Sequence, residues 1–170
     1  QQEEALRQSH DVVERVVTEF CKMAGREYGI IETFAMDDAE VAILCLGSVA
    51  GTARSVARKL RSQGKKVGVI KVSLYRPFPA EEVFEVAKGL KSLAVLDKAI
   101  SFGAPMGSVA SDVATVLKGH DAPVKIFDAV CGIGGRDISP EDLERVYEKA
   151  IEVGATGVVK EQVIFLGVRE

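Results

Sequence analysis

Apolar positions along the chain recur with two different periods, and their alternation sets out a fold. Val12, Val13, Val16, Val17 and Phe20 fall at helical spacing, with Glu14, Arg15 and Glu19 between them. Ser9 is the expected N-cap of this helix and Gly25 its expected stop. Residues 28–34 read as a short strand that ends at the acidic turn Asp37-Asp38. VAILCLG, residues 41–47, is a continuous apolar run of the kind found in strands covered on both faces. After GSVAG a helix carries Ala53, Val56, Ala57 and Leu60 on one side and Arg54, Arg58, Lys59 and Arg61 on the other, and Gly64 ends it. VGVIKV (67–72), LAVLD (93–97) and VKIFDAV (124–130) repeat the buried-strand pattern. Pro79 with Glu81 and Glu82 suits a helix start, and Val109, Val113, Val116 and Leu117 form a further helical stripe after the loop 98–107. Ser139-Pro140-Glu141-Asp142 opens a last helix with N-cap, proline and acidic first turn in order.

Strands alternating with helices of about a dozen residues predict βα units, a largely parallel sheet and helices on both faces. The expected architecture is a three-layer α/β/α domain over residues 1–153, with residues 1–9 a polar lead-in from a longer chain. The tail, 154–170, is apolar but has no further unit behind it. Two fates are open for it: an added edge strand, or an arm that buries Val163, Ile164, Phe165 and Leu166 on another chain.

Composition narrows the class. The 170 residues suffice for one domain with a real core, and 47% apolar with 28% charged residues is ordinary for a globular protein. A formal charge of −3 argues against nucleic acid or an anionic membrane surface as a partner. No apolar run approaches the roughly 18 to 20 residues needed to span a bilayer. The polar start, QQEEALRQSH, resembles neither a signal nor a transit peptide, and it lacks a Met, as expected of a cut or processed piece. Cys21, Cys45 and Cys131 are scattered without a CxxC pair, so no iron–sulfur or structural zinc site is expected, and a reducing cytoplasm is the default compartment. Cys45 reads as a buried small hydrophobe.

Ligands of an open parallel sheet bind outside the carboxyl ends of its strands. Four loops reach that edge: Gly47-Ser48-Val49-Ala50-Gly51, Tyr75-Arg76-Pro77-Phe78-Pro79, Ser101-Phe102-Gly103, and Gly132-Ile133-Gly134-Gly135-Arg136-Asp137. GSVAG resembles a phosphate-cradling turn with the Ser48 hydroxyl beside it, but it matches neither GxGxxG nor the P-loop, and a tight turn where helix packs on strand is the favoured reading. In GIGGRD three glycines allow close backbone approach, and Arg136 can clamp an anion or hold the turn itself. YRPFP reads as a stiff aromatic contact loop with Arg76 as its one charge. Catalytic constellations are missing: His10, at a helix start, and His120, in a polar turn, lie far from these loops. Asp37-Asp38 lacks a third metal ligand, so no catalytic residue and no metal are expected.

The run AEVAILCLGSVAGTARSVARKLRSQGKKVGVIKVSLYRPFP, followed by VLDKAISFGAPMG and GIGGRDI in the same order, is similar to the C-terminal part of the α subunit of pyruvate:ferredoxin oxidoreductases. The resemblance covers roughly residues 10–150. It implies a transketolase C-terminal-domain-like fold: a five-stranded, mostly parallel sheet with one antiparallel strand, for which residues 28–34 are the candidate. It also implies a multisubunit, thiamine-diphosphate-dependent enzyme that decarboxylates pyruvate to acetyl-coenzyme A, or runs in reverse, and exchanges electrons with ferredoxin. Thiamine diphosphate, Mg and iron–sulfur clusters belong to other parts of such a complex, since neither the GDG…N diphosphate motif nor cluster cysteines stand here. Ala104-Pro105-Met106-Gly107 and Cys131 depart from the usual family pattern.

Three readings follow. In the first the domain serves assembly and shapes one side of a cleft, with the other domains and subunits as partners. In the second Arg76, Arg136 and GSVAG hold the phosphates of coenzyme A. In the third the chain is a free-standing small enzyme of flavodoxin-like type.

Overall fold

The computed structural model describes residues 1–168. In chain order the elements are α1 (Gln2–Ala24), β1 (Ile31–Phe34), β2 (Val41–Leu46), α2 (Val49–Ser62), β3 (Val67–Val72), α3 (Ala80–Ala87), β4 (Ser92–Asp97), α4 (Ser108–Gly119), β5 (Lys125–Val130), α5 (Pro140–Thr156) and β6 (Val163–Phe165), with a short 3-10 turn, Ile133–Gly135, before α5. One sheet runs β1-β3-β2-β4-β5-β6. β1 pairs antiparallel with β3, and the remaining pairs are parallel. The three-layer α/β/α expectation holds, and the antiparallel strand is the one anticipated, confined to Ile31–Phe34. The expected five strands are β1–β5. The tail adds a sixth at the open edge of β5, where the Leu166 N–H donates to the Val130 carbonyl (2.9 Å).

Strand alternation divides the interior into two cores. Val41, Ile43 and Cys45 of β2, with Val67, Val69, Ala94, Phe127 and Ala129, face α2 and α5. Ala42 and Leu44, with Ile70, Val72, Leu93 and Val95, face α3 and α4. The Arg-rich side of α2 is left outward, as its pattern required. α5 crosses residue 153, running on to Thr156 before Gly157 closes it in the left-handed conformation. Its start is a capping box in which Ser139 and Asp142 satisfy each other's backbone N–H groups. Buried Tyr147 on α5 donates its hydroxyl to the Gly68 carbonyl of β3 (3.0 Å), tying helix to sheet. Tyr147→Phe is expected to cost about 1 kcal/mol in urea unfolding, since it removes a hydrogen bond within the core.

The N-terminal helix departs from expectation. Ser9 is not its N-cap: α1 begins at Gln2, and the polar lead-in is helical. Pairs one turn apart hold that extension, Arg7 to Glu3 (3.1 Å) and Gln8 to Glu4 (2.8 Å), with both acids in the first turn where the helix dipole favours them. The Ser9 hydroxyl donates back to the Leu6 carbonyl instead of capping (2.6 Å). His10 therefore lies inside the helix and not at its start, and its Nε2 meets Glu82 on α3 at 2.8 Å.

Candidate functional site

The four parallel strands β2 to β5 deliver their loops to one edge, which carries two adjoining clefts. The first, about 310 Å3, is lined by Leu46, Val49, Tyr75, Asp97, Lys98 and Cys131, among others. The second, about 340 Å3, is lined by Ser48, Val49, Thr52, Lys98, Arg136, Asp137 and Ile138. Val49 and Lys98 border both. Of the residues anticipated from the loops, Tyr75 enters the first cleft, Ser48, Arg136 and Asp137 gather in the second, and Val49 borders both. The others are not brought in. Gly51 lies within α2, and Pro77, Phe78 and Pro79 lead into α3. Ser101 and Gly103 form an exposed turn closed by the Ala104 N–H on the Ser101 carbonyl (3.0 Å).

Both arginines are engaged inside the domain. The Arg76 guanidinium lies 3.9 Å from the centre of the Tyr75 ring and donates to Asp112 on α4 at 2.8 Å. The Tyr75 hydroxyl donates to the same carboxylate (2.9 Å), and the Phe78 ring stands edge-on to Tyr75 at 6.1 Å. YRPFP is thus an aromatic loop clamped onto α4. Arg136 donates to the Gly167 carbonyl beyond β6. It can do so because Gly132, Gly134 and Gly135 all take left-handed backbone (φ 71, 68 and 76), which coils the loop tightly enough to aim Arg136 at the tail.

Asp97, which lines the first cleft, and Asp128, its neighbour on the sheet, are two buried carboxylates that the sequence did not single out. Asp97, at the end of β4, is 4% exposed and accepts from the Val109 and Ala110 N–H groups at 3.1 and 2.9 Å, capping α4 from the sheet. Asp128, in the middle of β5, has no exposed surface and accepts from the Gly107 N–H at 2.6 Å. Its second oxygen, Oδ1, has no partner among the described residues. Val95 pairs with Asp128 and Asp97 with Val130, so the two acids are diagonal neighbours on the α4 face. Burial raises both carboxyl pKa values, and Asp97 pushes Asp128 further, to about 6, against the opposing hydrogen bond from Gly107. The available signal was a lone Asp inside each of two apolar runs. Lys98, Thr52 and Asp112 were also missed, since nothing in their spacing marks them.

The donor set does not suit a metal or cluster. Cys45 and Cys131 are buried, and burial holds their thiols at about 12 and about 11, far from the thiolate form that ligation needs. Cys21 lies apart on α1, bonded to the backbone of Tyr28. Among the described residues the one group of three or more donors close enough for an ion is His10, Asp11 and Glu14, where His10 Nε2 is already turned to Glu82. At the amino edge of the sheet a further hollow of about 310 Å3 is bordered by Glu40, Lys66 and Lys91, where both lysines pair with Glu40. No described helix is long and apolar enough to cross a membrane.

Comparison with known proteins places this geometry. Residues 39–143 match the model of the pyruvate:ferredoxin oxidoreductase core domain II. The chain is 37% identical over 147 residues to pyruvate synthase subunit PorA of Methanothermobacter thermautotrophicus, covering 86% of this chain and 37% of that one. With PorA of Thermotoga maritima the identity is 37% over 170 residues, covering 100% and 42%. Ketoisovalerate oxidoreductase subunit VorA of Pyrococcus abyssi is 36% identical over 154 residues, covering 88% and 39%. The chain thus spans about two fifths of the length of these relatives. In fold it is similar to the 2-oxoglutarate:ferredoxin oxidoreductase of Magnetococcus marinus (TM-score 0.53, 19% identity, 83% of this chain and 23% of that one). It is similar also to a split-gene transketolase (TM-score 0.54, 19% identity, 75% and 44%). The chain belongs to the pyruvate:ferredoxin oxidoreductase core domain II family.

Proposed function

We propose that this chain is the C-terminal α-subunit domain of a pyruvate:ferredoxin oxidoreductase, where it serves assembly and shapes one side of a cleft without supplying catalytic groups. The observation that carries the reading is the internal engagement of both loop arginines, Arg76 on Asp112 and Arg136 on the Gly167 carbonyl. Each bond ties its loop to a neighbouring element, Arg76 to α4 and Arg136 to the tail, which is a positioning role. The burial of Cys45 and Cys131 fits a domain that leaves iron–sulfur clusters to other parts of the complex. Pyruvate is favoured over other 2-oxoacids by the relatives named pyruvate synthase, and ferredoxin as the electron partner by the description of the family; the cytoplasm is the proposed compartment.

The test is steady-state kinetics on the assembled complex carrying Arg76→Gln. The expected result is a kcat per assembled complex within about twofold of wild type, with any loss appearing as a smaller assembled fraction. A hundredfold lower kcat in fully assembled complex would contradict the reading. A second reading, a contact with the phosphates of coenzyme A, draws on Lys98, Ser48 and Thr52 standing together in the second cleft. It predicts that Lys98→Gln raises the KM for coenzyme A about tenfold with kcat unchanged.

A further inference from the structure

Of the described α-helices, α1 alone has no buried residue, although it is 23 residues long. Leu6, Ser9, Val13, Val16, Phe20 and Met23 follow one another at alternating spacings of three and four, which draws a single seam along the helix. Val13 and Val17 turn partly toward the body of the domain, and the His10–Glu82 contact tethers α1 to α3 there. The rest of the seam is open: Val16 is 57%, Phe20 52% and Met23 85% exposed. The Tyr28 ring, 5.5 Å from that of Phe20, extends the patch beyond the helix end. Helices in proteins owe most of their stability to packing of an apolar face, and a sustained exposed apolar stripe calls for something to cover it.

The spacing names the kind of cover. A seam with a mean repeat of 3.5 residues accepts the side chains of another helix crossing at about 20°, whereas a strand or an irregular loop presents no matching ridge. A membrane surface is disfavoured because the polar side of α1 carries more acids than bases, the reverse of an interfacial helix. The match to the Thermotoga maritima subunit includes all of this chain, α1 with it, yet takes up 42% of that subunit. More than half of such a polypeptide therefore lies outside the present chain. A helix tethered there meets α1 at an effective concentration of order millimolar, an advantage that a second copy of this chain lacks.

We propose that the α1 seam seats an amphipathic helix from the remaining part of the oxidoreductase polypeptide, itself apolar at three-four spacing. The proposal rests on the assembly role above and gives it a surface and a partner. It is tested in the full-length protein, within the assembled complex, by placing a photo-crosslinking benzoylphenylalanine at position 16 and mapping the product by mass spectrometry. The expected product joins position 16 to a helical segment outside residues 1–170. The double substitution Val16→Asp with Phe20→Asp is expected to lower the recovered complex at least about tenfold. Hydrogen exchange should meanwhile show the strands β2 to β5 as protected as in the wild type, because neither residue is in a core. A product joining two copies of α1, no product at all, or undiminished assembly of the double variant would overturn the proposal. An unassembled or inactive wild-type complex would count against the assembly role itself, and is told apart because it appears before any substitution is made.

Discussion

Gly107→Ala is expected to lower the unfolding free energy by about 3 kcal/mol in urea titration, among the largest effects of any single-methyl addition to this domain. Gly107 is the residue before α4, and an added Cβ would lie 2.4 Å from Asp97 Cγ and 2.6 Å from its Cβ. These are atoms near the root of a side chain and cannot swing aside. Relief requires either that Asp97 leave the Val109 and Ala110 amides or that the start of α4 lift from the sheet, which breaks the Gly107 to Asp128 bond. Gly51→Ala is the control. It adds the same methyl inside α2, where nothing lies within 4 Å, and is expected to be neutral or to stabilise by roughly 0.5 kcal/mol. Equal effects at the two positions would show that the acid pair and α4 are not in close contact.

The second large effect is a pH dependence. In the unfolded chain the Asp128 carboxyl loses its proton near 3.8, whereas in the folded protein it holds it to about 6. The folded state thus binds more protons between these values, and stability falls as pH rises through that window. The gap between 3.8 and about 6 corresponds to about 3 kcal/mol, fully lost above pH 6. Asp97, raised in the same direction by burial, adds to the same slope. Asp128→Asn removes the titration while its side-chain oxygen can still accept from Gly107. The variant is expected to be more stable than wild type at pH 7, by up to about 3 kcal/mol, and nearly level with it at pH 4. Glu32 runs the other way: burial opposes its ionisation, but hydrogen bonds from Lys71, Arg54 and Ser73 prevail and lower its pKa. Its contribution is present above its unfolded value of 4.5 and is lost as pH falls below that. It therefore shapes the acid limb and leaves the window up to pH 6 to the two aspartates.

Much of the fold was legible because its signals are local. Each apolar run of five to seven residues became a strand covered on both faces, and Ser139-Pro140 opened α5 as its capping chemistry requires. The first turns of α1 were not, because their stabilising pairs, Glu3 with Arg7 and Glu4 with Gln8, leave no apolar stripe to read. The place of the tail depended on which sheet edge stayed open, a property of the assembled sheet that the four apolar residues Val163, Ile164, Phe165 and Leu166 do not reveal. The loops of the carboxyl edge were also legible as a set, since glycine, proline and arginine punctuate them. Their internal connections were not. That Arg76 would meet Asp112, 36 residues away, follows from how α4 lies on the sheet. In the same way Asp97 and Asp128 read as ordinary strand residues until parallel pairing of β4 with β5 sets them diagonally under the start of α4.

On the proposed function, this domain completes an oxidoreductase without doing its chemistry. The direct measurement mixes the 170-residue chain with the remaining subunits and with an α subunit lacking the matching region, and follows thiamine-dependent reduction of a viologen dye by pyruvate. Activity that appears only on addition of the chain, and that survives Arg76→Gln at the same kcat per assembled complex, is the predicted result. A well-folded chain that fails to assemble with those subunits, or one whose assembly restores no activity, would contradict it.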